Sequence, residues 1–480
     1  MEGIPEGRKT FFRITPDAND LCVFAVKRGD IENRIDINHV LYKLSITGTN
    51  LKTNPLGELC LEEPCYGTSA SAIERTDDKQ PKYIRITDFD DFGIEENHKY
   101  MTAETYLDKH LLKKNDILFA RSGSVGRTYF YDGSIGSAVF AGYCIRFRFD
   151  EKKVIPKYAY WCTKINFYQK WVKGIQRSAV QSNINKEEYK SFEIVLPPLD
   201  IQQKLVDFMD DASASMQSKI YKSENLLSSL SKYVLERLGL SFDFPDKKII
   251  YATKYADIHS RIDADYYSPE FAHFRMQIEK SAYEVLTVEA ISEKIVSGFA
   301  AGKEDQADNL PNSQRVPHLR PFSITPDGEL TFNTKKYVPK SRLSNKDYCK
   351  RNEVIFNNTN SPELVGKTTV LDADIPCAAS NHITRITVKE GINPYYVAAF
   401  FNVLLSIGYW KLLCTNFNNQ AGVNTDTLKN VKIPVPDITV QQEIADEIQK
   451  RRLKARQLKI EAEQEWQAAK DQFEKDLLGE

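Results

Sequence analysis

The sequence has no excess of charge of either sign, since 65 Lys and Arg residues are offset by 66 Asp and Glu residues over 480 positions. No apolar run approaches the length of a membrane span, and the opening residues, Met1 to Glu6, have no basic stretch followed by an apolar one. We therefore expect a cytoplasmic protein. Balanced charge does not exclude a nucleic-acid partner, because cations gathered on one face suffice to bind phosphates.

Metal-binding and disulfide patterns are also missing. The eight cysteines include no Cys-x-x-Cys pair and do not fall at matched positions of the repeat described below, and none of the seven histidines pairs at metal spacing. A zinc site or a disulfide framework is not expected, and the cysteines are interpreted as small buried hydrophobes. A content of 41% hydrophobic and 27% charged residues is typical of a folded globular chain.

The sequence does contain a long internal repeat. Eight residues recur with the same identity 239 positions later: Gln181, Asn185, Lys190, Ile194, Pro197, Gln202, Gln203 and Asp207 reappear as Gln420, Asn424, Lys429, Ile433, Pro436, Gln441, Gln442 and Asp446. Upstream, with small shifts of register, Arg34-Ile35-Asp36 matches Arg261-Ile262-Asp263, Gly67 matches Gly298, Asp116 to Phe119 matches Glu353 to Phe356, and Val125 to Thr128 matches Val365 to Thr368. Two copies of a domain of about 200 residues account for such a repeat.

Each copy has the pattern of a strand-rich domain. Segments such as 116–120 and 144–149 are short, rich in branched and aromatic residues, and bounded by turn residues, which is typical of strands. Segments 156–173 and 394–413 have apolar residues at helical spacing. The prolines at Pro197 and Pro436 then precede a new element in each copy.

That new element is a long amphipathic helix. From Ile201 to Leu238 and from Ile444 to Leu477, apolar residues advance mostly by three or four positions. Each helix would span about 39 residues, or about 58 Å. Because one apolar stripe of that length needs another helix, we predict an antiparallel coiled coil with a globular domain at either end. The alternative is that each helix packs only on its own domain.

Three short segments resemble catalytic motifs, but none of them is interpreted as a catalytic site. Val365-Gly366-Lys367-Thr368 ends like a phosphate-binding loop, but its twin has Arg127 in place of the lysine. Asn393-Pro394-Tyr395-Tyr396 resembles an adenine-methyltransferase signature without its second proline, and it is interpreted as a helix start. Glu-x-Lys patterns are too short to be specific. No convergent set of catalytic groups remains, so a non-catalytic protein is expected.

With its two domains, each followed by a Pro-containing turn, a Gln-Gln pair and a long helix, the chain resembles the specificity subunit of type I restriction-modification systems. The resemblance implies an α+β fold of two tandem strand-rich target recognition domains, separated and joined by two long helices. The expected boundaries are 1–198 and 241–437 for the domains, and 199–240 and 438–480 for the helices. It also implies that each domain reads one half of a bipartite, asymmetric DNA target and that the helices set the spacing.

The same resemblance implies partners. Two methyltransferase subunits would dock on the helices, and restriction subunits with ATP-dependent nuclease and translocase activity would join the complex. S-adenosylmethionine, ATP and Mg would be bound by those partners, with no cofactor or metal in this chain. Gln202, Gln203, Gln441 and Gln442 are candidates for partner or junction contacts.

Polar loops beside the matched segments supply candidate DNA contacts, since Arg suits guanine and Asn or Gln suits adenine. In the first domain they are Lys82, Tyr83, Arg85, Arg121, Ser122, Ser124, Arg127, Gln176, Arg177 and Gln181. In the second they are Lys303, Gln306, Arg315, His318, Arg320, Asn357, Asn358, Asn360, Lys367, Asn416, Asn418, Asn419 and Gln420. The alternative for the amides is that they cap turns.

Two other classes of function stay open on the sequence alone. A self-sufficient DNA methyltransferase or nuclease would act on DNA without added subunits. A protein-binding scaffold without a DNA role would show no salt-dependent affinity for DNA.

Overall fold

The computed structural model of the chain describes residues 11–13, 22–24, 53–94, 98–175, 183–242, 250–254, 258, 261–332, 336–417 and 420–478. The chain divides into two compact units. The first unit comprises residues 1–217 and 462–480, and the second comprises residues 218–461. Each unit therefore contains one domain and part of each long helix.

The first unit contains twelve of the described strands and five helices, the last of which continues into the second unit. Its strands are β1 Phe11–Arg13, β2 Cys22–Phe24, β3 Thr53–Pro55, β4 Cys65–Tyr66, β5 Ala72–Glu74, β6 Lys82–Ile84, β7 Met101–Ala103, β8 Asp116–Ala120, β9 Thr128–Tyr131, β10 Ala138–Phe140, β11 Cys144–Phe147 and β12 Glu193–Val195. Its helices are α1 Leu56–Leu59, α2 Pro156–Cys162, α3 Asn166–Ile175, α4 Lys186–Lys190 and α5 Leu199–Leu238.

The second unit has the same plan. Its strands are β13 Glu284–Thr287, β14 Ser292–Ser297, β15 Arg315–Leu319, β16 Tyr337–Pro339, β17 Val354–Asn357, β18 Thr359–Asn360, β19 Thr368–Val370, β20 Ala378–Ala379, β21 Ile383–Val388, β22 Thr415–Phe417, β23 Gln420–Gly422 and β24 Lys432–Val435. Its helices are α6 Pro269–Glu279, α7 Pro394–Ser406, α8 Tyr409–Leu413, α9 Thr425–Lys429 and α10 Ile438–Leu478, the last of which continues into the first unit.

The two units repeat one sheet topology. A four-stranded antiparallel sheet has the order β4-β11-β8-β9 in the first unit and β14-β21-β17-β19 in the second. Phe119 pairs with Ile145 and Phe356 pairs with Thr384, so the matched strands also share their register. A parallel pair, β6 with β10 and β15 with β20, completes the correspondence. The duplicated α+β domain expected from the sequence is confirmed.

The two inner strands that match each other in the repeat are buried along their whole length. All five residues of β8 and all four of β17 are buried. In the second unit the core joins Phe356 and Ile386 of the sheet with Phe401 and Trp410 of α7 and α8. The residues at the ends of β8 and β17 are therefore held by a dry, closely packed centre.

The two long helices pair within each unit. In the second unit Ser223 Oγ donates to the Ala455 carbonyl at 2.9 Å, and Arg451 Nη1 donates to Ser229 Oγ at 3.0 Å. Residue numbers rise along α5 while they fall along α10, so the pairing is antiparallel, as predicted. In the first unit Ser215 lies 3.4 Å from Glu465.

Each long helix also packs on a domain. In the first unit the Trp161 and Trp466 rings lie 5.7 Å apart, and the Tyr158 and Phe473 rings lie 6.1 Å apart. Trp161 Nε1 donates to Asp210 at 2.9 Å. The alternative, in which each helix packs only on its own domain, is wrong, because each helix packs on both a domain and the other helix.

The helical segments 156–173 and 394–413 are each interrupted. Thr163 ends α2, and its hydroxyl bonds to the Tyr160 carbonyl at 2.6 Å. Gly408, at φ 78°, separates α7 from α8. Among the described residues, no helix combines the length and the apolar character needed to cross a membrane.

Candidate nucleic-acid interface

A buried ion pair lies at the start of the central strand in each unit. Asp116 begins β8 and is 0% exposed, and both of its carboxylate oxygens accept hydrogen bonds from Arg148 at 2.7 Å. In the second unit Glu353 pairs with Arg385 at 3.6 Å. Because a charge buried without a partner is costly, each pair fixes the strand that leads to Arg121 or Asn358.

The Val-Gly-Arg-Thr and Val-Gly-Lys-Thr segments are turns that lead into β9 and β19. Arg127 Nη1 donates to the Phe89 carbonyl at 3.1 Å. Lys367 Nζ donates to the carbonyls of Pro321 at 3.0 Å and Ile324 at 2.6 Å, and burial lowers the pKa of Lys367. In both units the cation holds a neighbouring loop by its carbonyls.

Next to each of these turns lies a second turn, which has the same backbone hydrogen bonds in both units. In the first unit it comprises residues 141–144, and Tyr143 is at its tip. Ala141 N donates to Ile84 O at 2.9 Å, Gly142 N to Thr68 O at 2.7 Å, and Cys144 N closes the turn on Ala141 O at 2.8 Å.

The matching turn comprises residues 380–383, and His382 is at its tip. Ser380 N donates to Leu319 O at 2.9 Å, Asn381 N to Phe299 O at 3.1 Å, and Ile383 N to Ser380 O at 2.9 Å. The residue after the central strand bonds to the tip in both units, Arg121 N to Tyr143 O at 2.9 Å and Asn358 N to His382 O at 3.0 Å. We call residues 141–144 and 380–383 the braced turns.

A glycine fits against each braced turn. A Cβ atom on Gly67 would lie 2.2 Å from the Phe140 carbonyl oxygen, and one on Gly298 would lie 2.0 Å from the Ala379 carbonyl oxygen. No side chain fits at those distances, which explains why the repeat has glycine at both positions.

The amide-rich loop of the second unit is part of a small sheet. Strands β22 and β23 form a hairpin, and β18 pairs with β23, so Asn360 and Asn416 both lie opposite Ala421. Asn416 and Gln420 are exposed. This places two of the predicted amides on a surface hairpin.

The structure separates the predicted DNA-contact residues into three groups. Those at least partly exposed are Lys82, Arg85, Arg121, Ser124, Arg127, Lys303, Gln306, Arg315, Arg320, Asn360, Asn416 and Gln420. Those that are buried are Tyr83, Ser122, His318, Asn357, Asn358 and Lys367. Gln176, Arg177, Gln181, Asn418 and Asn419 lie outside the described residues.

The buried group supports the fold. Asn357 Nδ2 donates to the Leu364 carbonyl at 3.0 Å, Asn358 Nδ2 donates to the Asn381 carbonyl at 3.1 Å, and Tyr83 OH donates to the Ala70 carbonyl at 3.0 Å. His318 is 1% exposed, and burial lowers its pKa to about 4, so it is neutral at pH 7.

Several exposed cations already have partners. Arg85 pairs with Asp88 at 2.8 Å, and Arg315 donates to Asn312 Oδ1 at 2.9 Å. The Arg121 guanidinium lies 4.8 Å from the centre of the Tyr66 ring, which holds it at the edge of the sheet.

The Gln-Gln pairs have two different environments. Gln202 and Gln441 are each 1% exposed. The Gln202 side chain accepts from Ile155 N at 2.9 Å and donates to Pro197 O at 2.8 Å, while Gln441 accepts from Asn393 N at 2.8 Å and donates to Pro436 O at 2.8 Å. A partner-docking role for Gln202 and Gln441 is therefore wrong, because their polar atoms are consumed within the chain. They form the junction contacts that were the other expectation.

Gln203 and Gln442 remain exposed. Each donates to the aspartate one helical turn later, Asp207 at 2.7 Å and Asp446 at 2.8 Å. In the described part of the chain, no group of three or more His, Cys, Asp or Glu side chains has the arrangement of a metal site.

Comparison with known proteins identifies the family. The model of the type I restriction modification DNA specificity domain matches residues 50–225 and again residues 287–464, which is more than half of the chain. The protein belongs to this family, and each copy of the repeat is one such domain.

Individual relatives are more distant. The chain is 34% identical over 98 residues to a protein of Haemophilus influenzae described as a type I restriction enzyme specificity subunit, and 26% identical over 167 residues to one of Methanocaldococcus jannaschii so described. These matches span 24% and 38% of the relatives' lengths and 20% and 34% of this chain.

A solved structure has a similar fold. It comes from a study of complex assembly and conformational transition of a type I restriction-modification system. It is 12% identical, covers 88% of this chain and 97% of its own, and has a TM-score of 0.50. At that identity the similarity shows the fold alone.

Proposed function

We propose that this chain is the DNA-recognition subunit of a type I restriction-modification complex, in which each unit reads one half of a bipartite, asymmetric target. The observation that carries the proposal is the duplication itself. The two units have the same sheet, register and braced turns, yet the residue that follows the central strand differs, with a partly exposed Arg121 in one and a buried Asn358 in the other. Equal frameworks with different residues at matched positions suit the reading of two different sequences.

The exposed members of the predicted set are the proposed DNA contacts. In the first unit they are Lys82, Arg85, Arg121, Ser124 and Arg127, and in the second Lys303, Gln306, Arg315, Arg320, Asn360, Asn416 and Gln420. Their cations would neutralise phosphates, and their amides would read base edges. The loop residues outside the described part of the chain, Gln176, Arg177, Gln181, Asn418 and Asn419, stay in the proposal as predictions.

The long helices are the proposed docking surface for two methyltransferase subunits. Leu199 and Ile438 begin the two helices, occupy equivalent positions of the repeat, and are 42% and 50% exposed. Leu453 and Ile460 of α10 are 64% and 47% exposed. Exposed apolar side chains on a helix that is already packed on one face suit a helical partner. Restriction subunits would join the same complex.

Catalysis is assigned to those partners. Methyl transfer from S-adenosylmethionine and ATP- and Mg-dependent cleavage would take place on subunits other than this one. This chain would contribute binding and the distance between half-sites, which the paired helices would fix.

Duplex binding by the purified chain tests the proposal. We expect the chain to bind a pool of random duplexes with an affinity that falls steeply between about 50 and 200 mM salt, because each neutralised phosphate adds about 0.9 to the log–log slope. No binding at any salt concentration contradicts the proposal. Methyl transfer or cleavage by the chain alone contradicts the assignment of catalysis to partners.

A further inference from the structure

The two braced turns have side chains at their tips that differ and face solvent. Tyr143 is 61% exposed, and His382 is partly exposed. The two positions are 239 residues apart, which is the spacing of the repeat itself. The structure thus places two different rings at one point of a duplicated framework.

The backbone at each tip is fixed. The two residues before the tip donate to the parallel strand and to the segment beside the tight glycine. The carbonyl of the tip residue itself accepts from the residue after the central strand. Each glycine is itself held, since Gly67 N donates to Cys144 O at 3.3 Å and Gly298 N donates to Ile383 O at 2.9 Å. A side chain on such a turn has little backbone freedom to lose when it binds a ligand, so its contact is favoured.

The tips also lie beside residues already proposed to contact DNA. The Tyr143 carbonyl accepts from Arg121 N, and the Arg121 guanidinium is held by the Tyr66 ring and by Asn183 Oδ1 at 3.4 Å. In the second unit the tip is held through Asn358, whose amide bonds to the Asn381 carbonyl. The same construction therefore presents a phenol beside an arginine in one unit and an imidazole in the other.

Exposed tyrosines are common on protein surfaces, so exposure alone decides nothing. What sets Tyr143 and His382 apart from other exposed rings is that both units share the brace while the tip residue differs. The needs of folding account for the glycines and the hydrogen bonds of the braced turns. Folding does not require an aromatic side chain at the tip, because the tip side chain is in contact with solvent.

We propose that Tyr143 and His382 are specificity-determining residues, each contacting one base pair in the half-site read by its own unit. The proposal rests on the proposed function and deepens it. The Tyr143 hydroxyl can donate to or accept from a base edge, and the ring can pack on a thymine methyl group, while the His382 ring nitrogens suit guanine N7 and O6 as donors or an amino group as acceptor.

Selection from random duplexes tests this with the full chain. We expect the Tyr143→His chain to select a sequence that differs from the wild-type sequence at one position of one half, and the His382→Tyr chain to differ at one position of the other half. Tyr143→Ala should weaken binding to the wild-type sequence by about 10-fold or more, as for the loss of one base contact. Affinity for a scrambled duplex should stay unchanged.

Tyr221→Ala is the matched control, since Tyr221 is also a tyrosine, is 62% exposed, and lies on α5 rather than among the proposed DNA contacts. Its selected sequence and affinity should equal those of the wild type. If the Tyr143 and His382 variants all select the wild-type sequence with wild-type affinity, this inference is overturned while the proposed function stands. If the wild-type chain selects no sequence, both fail. Because His382 lies in the other unit, its variants test the inference even if a Tyr143 variant fails to fold.

Discussion

The junction glutamine of the second unit offers a quantitative test of how the long helix is fixed to its domain. Gln441 accepts from Asn393 N at 2.8 Å and donates to Pro436 O at 2.8 Å while being 1% exposed. In Gln441→Leu both backbone groups lose their partner. A buried polar group without a partner costs about 1–3 kcal/mol, and the added apolar burial returns about 1 kcal/mol. For the two groups together, less that return, we expect a local loss of about 1–5 kcal/mol.

Hydrogen exchange of the full chain measures that loss where it occurs, without assuming that the two units unfold together. A loss of about 1–5 kcal/mol corresponds to exchange that is about 5- to 4000-fold faster for amides in the first turns of α7 and α10. The matched control is Gln442→Leu, since Gln442 is the next residue and is exposed. Its side chain donates to Asp446 at 2.8 Å and accepts from Asn393 Nδ2 at 2.9 Å, so this substitution breaks two side-chain bonds but leaves no backbone group without its partner. It should cost about 1 kcal/mol or less. Equal effects of the two substitutions would show that the buried backbone contacts of Gln441 do not hold the helix to its domain.

Three further outcomes are expected. Gly298→Ala should disrupt the braced turn and abolish sequence selection by the second unit, because the new Cβ would lie 2.0 Å from the Ala379 carbonyl oxygen; duplex selection measures it. His318 has a pKa lowered by burial from 6.5 to about 4, so the unfolded state takes up a proton first as the pH falls; stability is lost from below pH 6.5 down to about pH 4. Between pH 7 and pH 5, urea unfolding should show the wild type losing about 2 kcal/mol more than His318→Gln. Trp161→Ala should cost about 3–5 kcal/mol and speed proteolysis within residues 462–478, because its ring packs 5.7 Å from Trp466.

Each of these three predictions has a control variant. Gly142→Ala should be far milder than Gly298→Ala, since its Cβ would lie 3.3 Å from the nearest atom. Val316→Ala, at a buried position two residues before His318 in β15, removes no titratable group and should leave the pH dependence of the wild type intact. Leu61→Ala, at a position that is 64% exposed, should leave proteolysis unchanged. A control that matches its test variant would contradict the corresponding explanation.

The architecture could be predicted because it depends on pattern. The spacing of 239 residues revealed two domains, and the apolar stripes from Ile201 and Ile444 revealed helices that are observed to span 40 and 41 residues. The first of these helices ends at Leu238, as predicted, and Gly239 follows it at φ 63°. The interruption of the shorter helical segments was missed, since the apolar spacing continues through Thr163 and hides the cap.

The interface was less predictable, because exposure depends on tertiary packing. Asn357 and Lys367 have the polar character of a binding residue, yet both are buried against carbonyls that are distant in sequence or across a turn. Conversely, Tyr143 has the character of a core residue and is exposed. The one signal that could have identified it was the alignment of the copies, which sets Tyr143 against His382.

The proposed function requires that the two units read two different sequences separated by a constant number of base pairs. Mapping methylated adenines in DNA from cells that express this chain with its methyltransferase tests it most directly. We expect one bipartite, non-palindromic motif with a constant spacer, in which Arg121→Asn alters one half only. A contiguous or palindromic motif, or a change in both halves from that single substitution, would contradict the account.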